Sequence, residues 1–135
     1  MTSAGSTEPL LTEDDPPPFE LANETAPAPI LLTCDHASPR IPRRLGDLGL
    51  AAPDLARHIA WDIGAADVTR HMARQLDAPA ILAGFSRLVV DCNRHLHDPT
   101  LMPAVSDGMS IAANANIAPH ERQARIDEIY QPYHG

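Results

Sequence analysis

Residues 30–42 read Ile30-Leu31-Leu32-Thr33-Cys34-Asp35-His36-Ala37-Ser38-Pro39-Arg40-Ile41-Pro42, and this stretch decides the fold. Its first four residues form a short apolar run, which predicts a buried strand. The polar loop from Asp35 to Pro42 ends it, and Pro39 and Pro42 forbid a regular helix there. Working outward, residues 53–76 carry a helical pattern, with Ala65, Val68, Met72 and Leu76 on one face at spacings of three and four. Gly64 and the Trp61-Asp62 pair divide it into a lead-in segment and a main helix. Pro79–Ala83 predicts a second strand and Leu88-Val89-Val90 a third. Residues 92–118 are loop-rich. From Pro119, a good first helical residue, Ile126, Ile129, Tyr130 and Tyr133 repeat at helical spacing, while Glu121, Arg122 and Arg125 point elsewhere.

Strand, helix, strand, strand, loop, helix predicts an α/β domain: a partial, mostly parallel sheet flanked by helices. The 135 residues suffice for one domain. Aromatic residues make up only 4%, which leaves the core to Ala, Leu, Ile and Val. There is no apolar run of about 18 residues, which argues against a membrane partner. The net charge of −8 is concentrated at the amino terminus, where residues 1–24 hold six acids and no base. Together with Pro16-Pro17-Pro18, that composition predicts a disordered acidic tail over residues 1–28 and a folded domain over 29–135. Every fixed positive charge in the body is an arginine, and they form no basic stripe, which argues against nucleic acid. Cys34 and Cys92, without a secretion signal, predict free thiols and a cytoplasmic location.

Chemistry in open α/β sheets gathers at the carboxyl ends of strands. Cys34-Asp35-His36 follows the first strand and Asp91-Cys92-Asn93-Arg94 the third, so parallel pairing puts His36, Asp35, Asn93 and Arg94 on one rim. His36 and Asp62 are metal-ligand candidates by residue type; Asp62 equally reads as a helix cap. A continuous helix would also align Asp54, His58 and Asp62. Arg87 and Arg94 bracket an apolar strand and suit a carboxylate-bearing ligand, or else pair structurally with Asp91 or Asp107. His71, His120 and His134 read as solvated or capping, and His95 and His97 form a loop pair of low specificity. A serine nucleophile at Ser38 or Ser86 is weakly signalled, since Gly84-Phe85-Ser86-Arg87 lacks the closing glycine of a nucleophile elbow. Cys34 and Cys92 near His36 are a weak cysteine-hydrolase signal.

The blocks LLTCDHASPRIP (31–42), HIAWDIGAADV (58–68), FSRLVVDCNRHLHDPTLMPAVSDG (85–108) and IAPHERQARIDEIYQPYH (117–134) together resemble the N-formylglutamate amidohydrolase family. That resemblance implies the first half of a zinc carboxypeptidase-like fold and a zinc-dependent cleavage of an N-formyl or N-acyl amino acid, a small acidic substrate. It implies His36 and Asp62 as metal ligands, Arg87, Asn93 and Arg94 as the substrate-carboxylate grip, and Asp35 as a partner behind the ligands. Pro39, His95 and His97 depart from the family pattern without touching the ligands. The family's members are roughly twice this length, so the resemblance further implies an amino-terminal half, truncated at its carboxyl end. The third ligand and general base would then lie elsewhere, and activity alone would be impaired or absent. The alternative is a non-catalytic remnant or interaction module that needs a complementary half. Either way, the half-sheet leaves a strand edge open to self-association.

Overall fold

A computed structural model describes residues 8–135. Its sheet holds β1 (Phe19–Ala22), β2 (Leu32–Cys34) and β3 (Ala80–Ala83) in the order β1-β3-β2. β2 runs parallel to β3, with Leu32 opposite Ala80 and Cys34 opposite Leu82. β1 runs antiparallel to β3, with Phe19 opposite Ala83. The sheet is therefore mixed, and the mostly parallel sheet expected above is corrected. β1 is also the reason, because it comes from the segment expected to be a tail.

Over residues 8–28, disorder is corrected as well; residues 1–7 of the expected tail lie outside the described residues. Leu10 is buried in the main core, and the Glu128 carboxylate accepts hydrogen bonds from the backbone N–H groups of Leu10 and Leu11 at 2.7 and 2.9 Å. Asp15 accepts from the backbone N–H of Arg43. Few apolar residues suffice because remote side chains satisfy the segment's backbone. Its chain also lies against Gly84, whose backbone N–H donates to Pro18 O at 2.9 Å.

The pattern over residues 53–76 resolves into α1 (Ala52–Leu55) and α2 (Ala65–Leu76). Gly64 separates them with φ of 85°, a left-handed conformation that glycine adopts without a Cβ clash. α2 covers one sheet face through Ala66 and Ala73, which pack with Cys34, Ala37, Ala80 and Leu82. These small side chains let the helix lie close to the strands. The larger residues of the predicted apolar face, Val68, Met72 and Leu76, are exposed.

Leu88–Val90 is buried but is not a strand. Its carbonyls bond to side chains, Leu88 O with Asn114 and Val89 O with Arg125, so it needs no ladder. Burial without alternation was a poor guide here. In the loop-rich stretch, β4 (Val105–Ser106) and β5 (Met109–Ser110) pair as a hairpin. Asp107 and Gly108 both have positive φ in its turn, the usual role of an Asp-Gly pair. The last helical stretch runs from α3 (Pro119–Arg125) through one π-helical segment (Ile126–Tyr130) into α4 (Gln131–His134). Pro132 has no N–H for a regular bond, so the widened turn falls just before it. Ile126, Ile129 and Tyr133 are buried as predicted, and Tyr133 packs with Ala83 and Cys92. Arg125, expected to point away, is fully buried. No helix among the described residues is long and apolar enough to cross a membrane.

Candidate functional site

β2 ends at Cys34 and delivers His36 to the rim one turn later. The His36 carbonyl accepts the backbone N–H of Asp62 at 2.9 Å, which fixes the approach to α2 beside the imidazole. His36 Nδ1 lies 3.2 Å from Asp62 Oδ2, and His36 Nε2 lies 2.7 Å from Asp91 Oδ1. The ring thus stands between two carboxylates of different character. Asp91 is buried and Asp62 is about half exposed.

The charges follow from these contacts. The hydrogen bond with Asp91 raises the His36 pKa above the ordinary imidazole value, against the opposing effect of burial, with Asp62 adding to the rise. Burial works against the charge of Asp91, but His36, the Asn93 backbone N–H and Arg87 together hold its carboxyl below the usual range. Arg87 bridges the two acids, with Nη1 at 3.4 Å from Asp62 and Nη2 at 3.5 Å from Asp91. Asp62 does not cap α2, since no side chain bonds to that helix start.

Of the carboxylate-grip candidates, Asn93 lines a cavity of about 520 Å³ together with Asp35, His36, Asp62, Ile63 and Val68. Arg94 donates from Nε to the Thr100 hydroxyl and from Nη1 to Asn93 O. Arg87 is committed to Asp62 and Asp91. Asp35 accepts a 2.5 Å hydrogen bond from the Tyr133 hydroxyl. Burial, and then that bond, push the Tyr133 hydroxyl far above the ordinary phenol range. The group behind His36 is Asp91, which the sequence reading treated only as an ion-pair partner. Its signal was available: it opens the Asp-Cys-Asn-Arg run on the predicted rim. A larger cavity of about 610 Å³ is lined by Pro17, Trp61, Arg40 and Arg70, but not by the histidine–carboxylate array.

Other candidates fall away. α1 ends at Leu55, so Asp54, His58 and Asp62 share no helix, and His58 faces Asp107 at 3.2 Å. The Ser86 hydroxyl is buried, donates to Ala60 O and accepts from Leu88 N–H, so no histidine activates it. Burial raises the Cys34 thiol and pushes the Cys92 thiol up to about 12, which makes both poor nucleophiles. His134 lies 2.8 Å from Cys92 O and packs on Tyr130.

His36 and Asp62 are two side chains of the types that zinc takes as ligands. His36 Nδ1 and Asp62 are close enough to share an ion, with Asp91 holding the far ring nitrogen in a carboxylate–histidine arrangement typical of metal ligands. A catalytic zinc takes three protein ligands, and no group of three suitable side chains occurs among the described residues.

Fold and site together define an α/β domain with a carboxylate–histidine–carboxylate array at the carboxyl end of a parallel strand pair. The sequence profile of the N-formylglutamate amidohydrolase family matches residues 28–135, and the chain belongs to that family of hydrolases. The crystal structure of gene product Atu2144 from Agrobacterium tumefaciens is similar, with a TM-score of 0.90 and 39% identity. The match covers 93% of this chain and 50% of that one, so this chain spans half the length of its solved relative. No curated protein matches.

Proposed function

We propose that this chain carries one half of the active site of a zinc-dependent amidohydrolase acting on an acidic N-formyl or N-acyl amino acid. The observation that supports it is His36 clasped between Asp62 and Asp91. Asp91 would keep the imidazole in the tautomer that presents Nδ1, and His36 and Asp62 would hold the ion. Bound zinc would polarise the acyl oxygen and lower the pKa of a water. Arg94 and Asn93 would receive the substrate carboxylates, while Arg87 keeps Asp62 and Asp91 apart in charge and fixed in position. This refines the grip implied by family resemblance, because Arg87 serves the ligands more than the substrate. With two protein ligands, the chain alone would turn over little substrate. The buried free thiols agree with a cytoplasmic location.

The test is zinc titration and N-formylglutamate binding by calorimetry on the 135-residue chain. His36→Ala and Asp62→Ala should each abolish stoichiometric zinc. Arg94→Ala should keep zinc and weaken N-formylglutamate binding about tenfold or more. Zinc retained in His36→Ala, or substrate binding indifferent to Arg94, would overturn the reading.

A further inference from the structure

We propose that the cavity between the amino-terminal segment and α2 is a second binding site, which takes a small monocarboxylate with an aromatic or branched apolar body. Its volume of about 610 Å³ lies within the usual range of small-molecule pockets. Only Gly64 lines both this cavity and the one holding His36 and Asp62, so the two are separate compartments. Pro17 and Phe19 form one wall, and they precede the span matched by the family profile. That wall is pinned, because Gly84 N–H donates to Pro18 O at 2.9 Å and β1 pairs with β3 directly after it. Ala66 and Leu82, both buried, supply further apolar lining. Trp61 donates from Nε1 to Ala56 O at 3.1 Å, which satisfies the polar edge of its ring and leaves the ring face for an apolar body.

The charged side chains of the lining decide the charge of the ligand. Arg70 is occupied, with Nη2 at 2.7 Å from Glu20 and Nη1 at 3.8 Å from Asp67. Arg40 is exposed, and among the described residues no carboxylate pairs with its guanidinium. Its backbone is nonetheless fixed, since Arg40 O accepts Ser86 N–H at 2.7 Å and Arg40 N–H donates to Ser38 Oγ at 3.1 Å. A free guanidinium on an anchored backbone, beside an apolar lining, is a fork for one carboxylate. Glu20 and Asp67 on the same lining repel a further negative charge, which selects a monoanion over a phosphate dianion. The site is independent of the proposed amidohydrolase chemistry, because none of its residues is a candidate metal ligand or part of the proposed substrate grip.

Trp61 is the chain's one tryptophan, so its fluorescence reports occupancy of this cavity directly. Titrating the 135-residue chain with phenylacetate should give a saturable change, half complete at about 1 mM or below. Phenylacetamide keeps the body and loses the charge, and it should bind at least about tenfold more weakly. Inorganic phosphate, a charge without the body, should fall short by a similar factor. Arg40→Gln should weaken phenylacetate at least about tenfold and leave the melting temperature unchanged, because both backbone bonds of residue 40 remain. Arg94→Ala should leave phenylacetate binding as it is, which separates this cavity from the proposed substrate grip. No saturable change, equal binding of the amide or of phosphate, or indifference to Arg40→Gln would each overturn the proposal. So would binding lost in Arg94→Ala, since the ligand would then occupy the other cavity. If Arg40→Gln lowers the melting temperature, the amide and phosphate comparisons on the parent chain decide the matter alone.

Discussion

Nε2 of His36 and Oδ1 of Asp91 lie 2.7 Å apart, and both side chains are buried. A charge-assisted bond of this kind counts for more than a neutral one because neither group has water to fall back on. Asp91→Asn keeps the shape and removes the charge. It should cost about 2–3 kcal/mol of stability by urea denaturation and lower zinc affinity about 10- to 100-fold. An unchanged zinc affinity would mean that Asp91 does not orient the ligand.

The same pair predicts a stability maximum on the acid side of neutrality when a chelator keeps metal away. The raised pKa of His36 contributes stability that is complete below the unfolded value, about 6.5, and is lost as pH climbs through the folded value. The lowered pKa of Asp91 contributes stability that is present above its unfolded value, about 3.9, and is lost as pH falls through the folded value. Melting temperature should therefore peak between these limits. His36→Gln should flatten the alkaline decline; a decline as steep as in the parent would assign it to another group.

Arg125 should be the costliest single arginine to remove. Its guanidinium is fully buried and donates to Val89 O, Asn114 Oδ1 and Glu121 Oε2. Arg125→Ala leaves these acceptors unpaired and should cost about 3–5 kcal/mol, against well under about 1 kcal/mol for Arg122→Ala on the surface. Chemical denaturation of the two variants decides it.

Gly84→Ala tests the amino-terminal segment. A Cβ there would lie 2.2 Å from Pro17 O, which belongs to backbone and must move. The variant should lose about 1–3 kcal/mol, and the β1 amides should exchange with solvent much faster than in the parent. Unchanged exchange at Phe19–Ala22 would show that the segment holds without this contact.

How much of this was legible beforehand depended on whether a residue's role was local. β3 and the break at Gly64 follow from apolar runs and backbone preferences and lie where the pattern put them, whereas β2 falls at Leu32–Cys34 as a part-exposed strand and leaves Ile30 and Leu31 of the expected buried run outside it and exposed. Residue type nominated His36 and Asp62 separately and only the family resemblance paired them; in the fold they come within 3.2 Å because the His36 carbonyl holds the backbone of Asp62. Leu88–Val90 misled because burial is shared by strands and by turns held through side chains, and Asn114 and Arg125 are remote in sequence. β1 was hidden for the same reason, since Glu128 satisfies Leu10 and Leu11 from over a hundred residues away. The outward ridge of α2 could not be told from an inward one, because periodicity marks a face without saying which way it turns.

The profile match begins at residue 28, yet the domain does not. β1, the Leu10 plug and the Glu128 clasp all precede that boundary. Anyone who trims the gene to the matched span will cut inside the folding unit, leaving β3 with a bare outer edge and Glu128 reaching for nothing. Insolubility of such a shortened product would report on the scissors, not on the protein.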